Sequence, residues 1–153
     1  MTTATTVALV VAVVTGGLIA GLYFTCSCAV VPAFRRVDDR TYLSAFRAIN
    51  RAIVNGWFLL VFLGAPVSAV VAAALGGWSP WLIAGAGLAV VTFFITVARN
   101  VPLNRALDAA DSTTPAAARL AREGFEDVWA RWNLLRTVTG IAAVVALAVA
   151  LAP

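Results

Sequence analysis

The sequence predicts an all-α integral membrane protein: an up-down bundle of four transmembrane helices with amphipathic helices at its junctions. Three observations predict it. The chain has 153 residues, of which 62% are hydrophobic and only 12% charged. A water-soluble domain carries about a quarter charged residues, so this chain has too little polar surface to cover itself in water. The apolar residues fall into long runs, each sufficient for a bilayer-crossing helix. The basic residues, eleven arginines with no lysine or histidine, gather at two junctions between those runs. The length suits a single domain spanning residues 1–153.

The spans are expected at about residues 7–31, 54–75, 80–98 and 132–152. A hydrocarbon core of about 30 Å needs roughly 20 helical residues. The first lies within "TTVALVVAVVTGGLIAGLYFTCSCAVVPAF", which carries no charge. Its leader, "MTTATT", has no positive residue, so the segment reads as a permanent helix rather than a cleaved signal. Backbone groups in lipid must be bonded within the segment, and no period-2 alternation competes, so the spans are helices. In the first span Gly17 and Gly21 are four apart, a spacing that lets helices approach closely. Packing inside the bundle is the favoured reading, and a homo-oligomer face is the alternative.

The first junction, "RRVDDRTYLSAFRAINRAIVNGW", places Tyr42, Leu43, Phe46, Ile49, Ile53 and Phe58 at helical spacing between arginines. It predicts an amphipathic helix running into the second span. At the second junction Ser112 or Thr113 is placed to cap a helix with Pro115 in its first turn, continuing into the fourth span. Arginines at 35, 36, 40, 47 and 51, then 99, 105, 119, 122, 131 and 136, leave the termini and the "GGWSP" turn without any. The positive-inside rule puts both junctions in the cytoplasm and both termini outside the plasma membrane. Trp78 and Trp81 then lie in the outer interfacial belt. The net charge of +4 is accounted for by topology and does not point to nucleic acid.

The chain's amides concentrate at the junction end. Asn50 and Asn55 open the second span, Asn100 and Asn104 close the third, and "WARWNLLR" begins the fourth. Trp129, Trp132 or Asn133, and Arg136 share a helix face continued by Gly140, and a charge this deep must face protein or water. Arg47, Arg51 and Asn55 form a second stripe, four residues apart. If the third helix continues through Pro102, the ring leaves the Ala98 carbonyl without its donor. Asn100 and Asn104 then either cap broken ends or line a pocket. The expectation is a pocket with Asn100 and Asn104 on one wall, Trp132, Asn133 and Arg136 opposite, and Asn50 or Asn55 close by. Cys26 and Cys28, two apart on a helix, point in opposing directions and suit neither a disulfide nor a shared metal. With no histidine and scattered carboxylates, no metal site is expected.

The order "AVVPAFRR", "FRAINRAIVNGWFLLVFLGAP", "TVARNVPLNRAL", "WARWNLLRTVTG" resembles the anthrone oxygenase-like membrane family, over nearly the whole chain. "NVPLN" and "W-x-x-W-N-x-x-R" are its most specific pieces. The resemblance implies a small four-span protein, and some relatives oxidise anthrones to anthraquinones with molecular oxygen. Asn50, Asn55, Asn100, Pro102, Asn104, Trp132, Asn133 and Arg136 match recurrent family positions. Relatives often carry histidine after the "WN", where this chain has Leu134.

Such chemistry needs a planar apolar slot, donors for an oxyanion and a proton acceptor, without cofactor or metal. Trp129 or Trp132 would wall the slot. Arg136, Asn100 and Asn133 would hold the oxyanion, with Asn104, Asn50 and Asn55 contacting a small apolar aromatic ligand. No acceptor stands out; Asp38, Asp39, Glu126 and Asp127 lie near the junctions, and water is the remaining candidate. The competing readings are a non-catalytic binding or scaffold protein, in which these groups lock the bundle, and a small transporter. The transporter is disfavoured because no carboxylate lies within an expected span.

Overall fold

The computed structural model describes residues 1–152, and among these the chain is helical with no strand. Four helices are long and apolar enough to cross a membrane: Thr3–Phe34, Gly56–Leu75, Pro80–Ala109 and Pro115–Val149. The first comprises α1 (Thr3–Thr25), a π turn at Cys26–Val30 and α2 (Val31–Phe34). The junction helix α3 (Asp39–Ile53) follows, then α4 (Gly56–Leu75). The third rod is α5 (Pro80–Ile95), a second π turn at Thr96–Asn100 and α6 (Val101–Ala109), and α7 (Pro115–Val149) completes the bundle.

Local chemistry sets the boundaries. Asp38 Oδ1 accepts from the Thr41 amide at 3.1 Å and starts α3. Asn55 Oδ1 accepts from the Phe58 amide at 3.0 Å and starts α4. The amphipathic helix therefore does not run into the second span: it stops at Ile53, and the chain leaves helical geometry at Val54 and Asn55. The cap of α7 is Thr114, whose hydroxyl accepts from the Ala117 amide at 3.1 Å, not Ser112 or Thr113. Pro115 follows at the first helical position, where its missing N–H costs nothing. The turn between α4 and α5 needs left-handed backbone at Gly77 (φ 72°) and at Trp78 (φ 57°).

Both π turns precede a Val-Pro pair. Val31 and Val101 each donate five residues back, to Cys26 and Thr96. A widened turn is one way a helix passes a proline that lacks its N–H, and it recurs where side chains must be re-aimed. The third helix therefore continues through Pro102 to Ala109 rather than stopping at Ala98.

Two cores hold the bundle. At the end bearing the chain termini, Leu9, Ala12, Ala69, Ala72, Leu82 and Leu147 pack among small residues that bring the helices close. A Cβ on Gly85 would fall 2.6 Å from Leu147 Cγ, so α5 and α7 touch through that glycine. At the arginine-rich end, Tyr42, Leu43, Phe46, Leu107, Phe125 and Trp129 form an aromatic core under α3. Gly17 and Gly21 have no neighbour within 4 Å of a built Cβ, so, contrary to the favoured expectation, the bundle does not pack on them.

The junctions are tied down by two arginines. Arg47 donates to the Leu107 and Ala110 carbonyls and to Ser112 at 2.7–3.1 Å, closing the end of α6. Arg122 bonds Glu126, Asp39 and the carbonyls of Phe34 and Val37.

Candidate functional site

Helix α7 presents Trp129, Asn133, Arg136 and Gly140 inward, all buried. Of the two residues left open by the helical arithmetic, Asn133 takes the buried face. Trp132 is half-buried and stacks under the exposed Arg99, whose Cζ is 4.9 Å from the indole centroid. It lies off the Asn133–Arg136 face.

Arg136 is 7% exposed. Its Nε and Nη2 both donate to Asn133 Oδ1, at 3.0 and 2.8 Å. The guanidinium carbon is 3.9 Å from the Tyr23 ring centroid and 5.2 Å from that of Trp129. Among the described residues no carboxylate pairs with it. A neutral amide and two π faces stabilise this cation.

Asn133 is held on its other side. Its Nδ2 donates to Ser27 Oγ at 2.7 Å and to the Tyr23 carbonyl at 3.0 Å. The first π turn brings Ser27 to α7, where it also pairs with Thr137. Tyr23 Oη pairs with Thr96 Oγ1 at 3.1 Å, linking the first and third rods.

The second π turn buries Thr96 and Asn100. Asn100 is fully buried, and neither its Oδ1 nor its Nδ2 has a hydrogen-bond partner. Asn50, on α3, is 9% exposed and its Nδ2 is likewise unpartnered. Leaving a buried polar atom unbonded costs about 1–3 kcal/mol. Asn104 accepts from Trp129 Nε1 at 2.8 Å.

Besides Trp132, the expected arrangement is corrected in two respects. The two walls are not separated by a pocket opening at the junction end: Asn104 and Trp129 are bonded to each other, and α3 covers them, with Phe46 stacked edge-on at 4.8 Å from Trp129. Asn55 is exposed and spends its amide on capping α4 and bonding Ala52, so it lies outside the cluster. Of the remaining residues, Asn104, Trp129, Arg136 and Asn133 form one chain of contacts, and Asn50 on α3 and Asn100 on the second π turn are buried.

Tyr23, Ser27, Thr96 and Thr137 join the cluster without having been singled out from sequence. Their signal was a hydroxyl inside an apolar run. The acidic residues sit further out. Glu126 pairs with Arg122 and Arg35, and Asp127 with Arg35, so neither is a free base. Burial, with Glu126 beside it, pushes the Tyr42 phenol up and keeps it neutral. Among the described residues no cluster of metal-ligating side chains occurs.

Tyr23 also lines a half-open apolar cleft of about 30 Å³, bordered by residues of all four spans.

Fold and site together define a small multi-pass membrane protein that buries an arginine without a counter-ion under aromatic rings. A model of the anthrone oxygenase family matches residues 1–146, and the chain belongs to that family. No curated protein and no solved structure matches the chain.

Proposed function

We propose that the protein binds a planar, weakly acidic aromatic of the anthrone type as its anion and oxidises it with dioxygen. The observation that carries this reading is Arg136, a buried guanidinium without a carboxylate. A buried cation of this kind favours the ionised form of an acid placed beside it, because the pair shares the cost of desolvation. Asn100 and Asn50 supply further amides with nothing to bond, suited to the ligand's oxygens.

The chemistry balances without a protein base. The bound anthrone gives its methylene proton to water and leaves an aromatic enolate whose oxygen is held by Arg136. The enolate passes one electron to dioxygen, and the radical pair combines to form a C–O bond. The peroxide takes a proton from water. Loss of the remaining C–H proton with cleavage of the O–O bond then releases water and leaves the second carbonyl. The sum is anthrone plus dioxygen to anthraquinone plus water. Arg136 stabilises the oxyanion in each charged state, and Asn133 fixes its guanidinium plane.

In this reading α3 is the cover of the site. It is flanked by short non-helical links at residues 35–38 and 54–55, and its apolar face lies on Trp129. A tricyclic ligand enters between Phe46 and Trp129 when α3 lifts. The arginine distribution supports a cytoplasmic setting for this end.

The test is anthrone itself, supplied to the protein in nanodiscs. Oxygen uptake and anthraquinone absorbance should rise in equal amounts, and Arg136→Met should abolish both. Decay of anthrone at the protein-free rate overturns the proposal. One observation favours a second reading, a non-catalytic binding protein: the Trp129–Asn104 bond leaves the cluster closed. Binding of anthrone without oxygen uptake would identify that case.

A further inference from the structure

We propose that the cavity behind Tyr23 is a docking chamber for dioxygen, filled from the bilayer core; this rests on the oxygenase reading above. The chamber is a cleft, half open at its edge, with about 30 Å³ of free space. A water needs about 10–15 Å³ and two to four polar partners, whereas dry apolar cavities admit small apolar guests such as xenon. The room here suits a diatomic, and the polar partners are missing. Of the hydroxyls on its wall, Tyr23 Oη already pairs with Thr96, and Thr92 Oγ1 lies 2.8 Å from the Leu88 carbonyl and 2.7 Å from Thr139 Oγ1. The rest of the lining is apolar, with Ala65, Gly140 and Ala143 leaving the space open.

Its position suits the reaction. Tyr23 forms one wall of the chamber and also lies 3.9 Å beneath the Arg136 guanidinium carbon. Gly140, on the same wall, is one turn beyond Arg136 on α7. A guest would thus lie one aromatic ring away from the cation that holds the enolate. Its outer edge is formed by Phe62 and Pro66 of α4 and Ala89 and Phe93 of α5, all half-buried, with the two phenyl rings 5.0 Å apart. Dioxygen is more soluble in hydrocarbon than in water, so this edge faces the richer supply. An ionised substrate arriving from the junction end and an apolar oxidant arriving from the lipid would meet across Tyr23.

Xenon is the probe. In xenon-pressurised crystals of the full chain, density should appear between Tyr23, Ala65 and Ala143. Ala143→Leu, and independently the milder Ala65→Val, should remove it. In the anthrone assay both substitutions should raise KM for dioxygen several-fold while kcat at saturating dioxygen and the affinity for anthrone stay unchanged. An empty chamber under xenon, or filled variants with an unaltered KM for dioxygen, overturns the proposal. If the wild-type protein does not oxidise anthrone, the oxygenase reading fails on its own. The chamber is then decided by the xenon result alone, standing as a gas site if xenon binds and Ala143→Leu excludes it, and falling otherwise.

Discussion

The guanidinium carbon of Arg136 lies over the Tyr23 ring, 3.9 Å from its centre, while Asn133 accepts two of its N–H groups. The cation and the amide that holds it are not equivalent, and their removal should differ. Asn133→Ala takes away the amide oxygen that accepts two N–H groups of a buried charge and deprives Ser27 and the Tyr23 carbonyl of a donor. Breaking such an arrangement from the neutral side costs about 3–5 kcal/mol. Arg136→Met removes the charge as well and leaves only one amide oxygen unbonded, a loss of about 1–3 kcal/mol. Thermal unfolding in detergent should therefore rank Asn133→Ala well below Arg136→Met. Equal melting temperatures would mean that the guanidinium is solvated by another route.

Trp129 should tolerate loss of its N–H better than loss of its ring. Trp129→Phe keeps contact with Phe46 and Phe125 but breaks the 2.8 Å bond to Asn104, costing about 1 kcal/mol. Trp129→Ala opens the aromatic core and should cost about 3–5 kcal/mol. Denaturant titration in mixed micelles measures both, and similar values would show that the hydrogen bond, not the packing, dominates.

Asp38 predicts an acid limb. The Thr41 hydroxyl and then the Thr41 amide bond its carboxylate and hold its pKa below the usual value. A depressed folded-state pKa contributes stability that is present above the unfolded pKa, about 3.9. That contribution is lost as pH falls through the lower folded value. Asp38→Asn should flatten the loss of α3 helicity below about pH 4, read by hydrogen exchange on α3. An unchanged acid profile would assign that limb to other carboxylates.

The arginine distribution predicts the orientation. Reporter fusions at either terminus should be extracytoplasmic, and an insertion near Asp111 cytoplasmic. A cytoplasmic C-terminus would turn the Arg136 cluster outward and remove the basis for substrate entry from the cytoplasm.

The four apolar helices were legible because bilayer thickness, absent charge and backbone satisfaction leave few alternatives. The break between α3 and α4 was not, because the periodicity from Tyr42 to Phe58 runs on through Val54 and Asn55. Only the caps, where Asn55 turns its side chain back to Phe58, mark the stop. Three adjacent hydroxyl residues, Ser112 to Thr114, could each have capped α7, and backbone geometry chose Thr114. In the candidate site, attention to amides and charges found Asn100, Asn133 and Arg136. It overlooked Tyr23, whose role depends on a ring beneath a cation from another helix, a relationship that no local spacing encodes. Trp132 and Asn133 are adjacent, and the packing of α7 against the first π turn, through Ser27, decided which one faces inward.

Each π turn holds one residue more than an α-helical turn would, which advances everything beyond it by about 100° around the rod. The phase of the first and third spans is thus reset at the Val-Pro pairs, and α6 is angularly offset from α5. Shortening the segment before Val101 by one residue would rewind α6, swinging Asn104 away from the Trp129 indole while leaving the hydropathy profile almost unchanged. A gap of one residue just before either Val-Pro pair is therefore a larger structural event than several substitutions along the lipid-facing side. Family members with and without that gap should differ in which residue meets the indole.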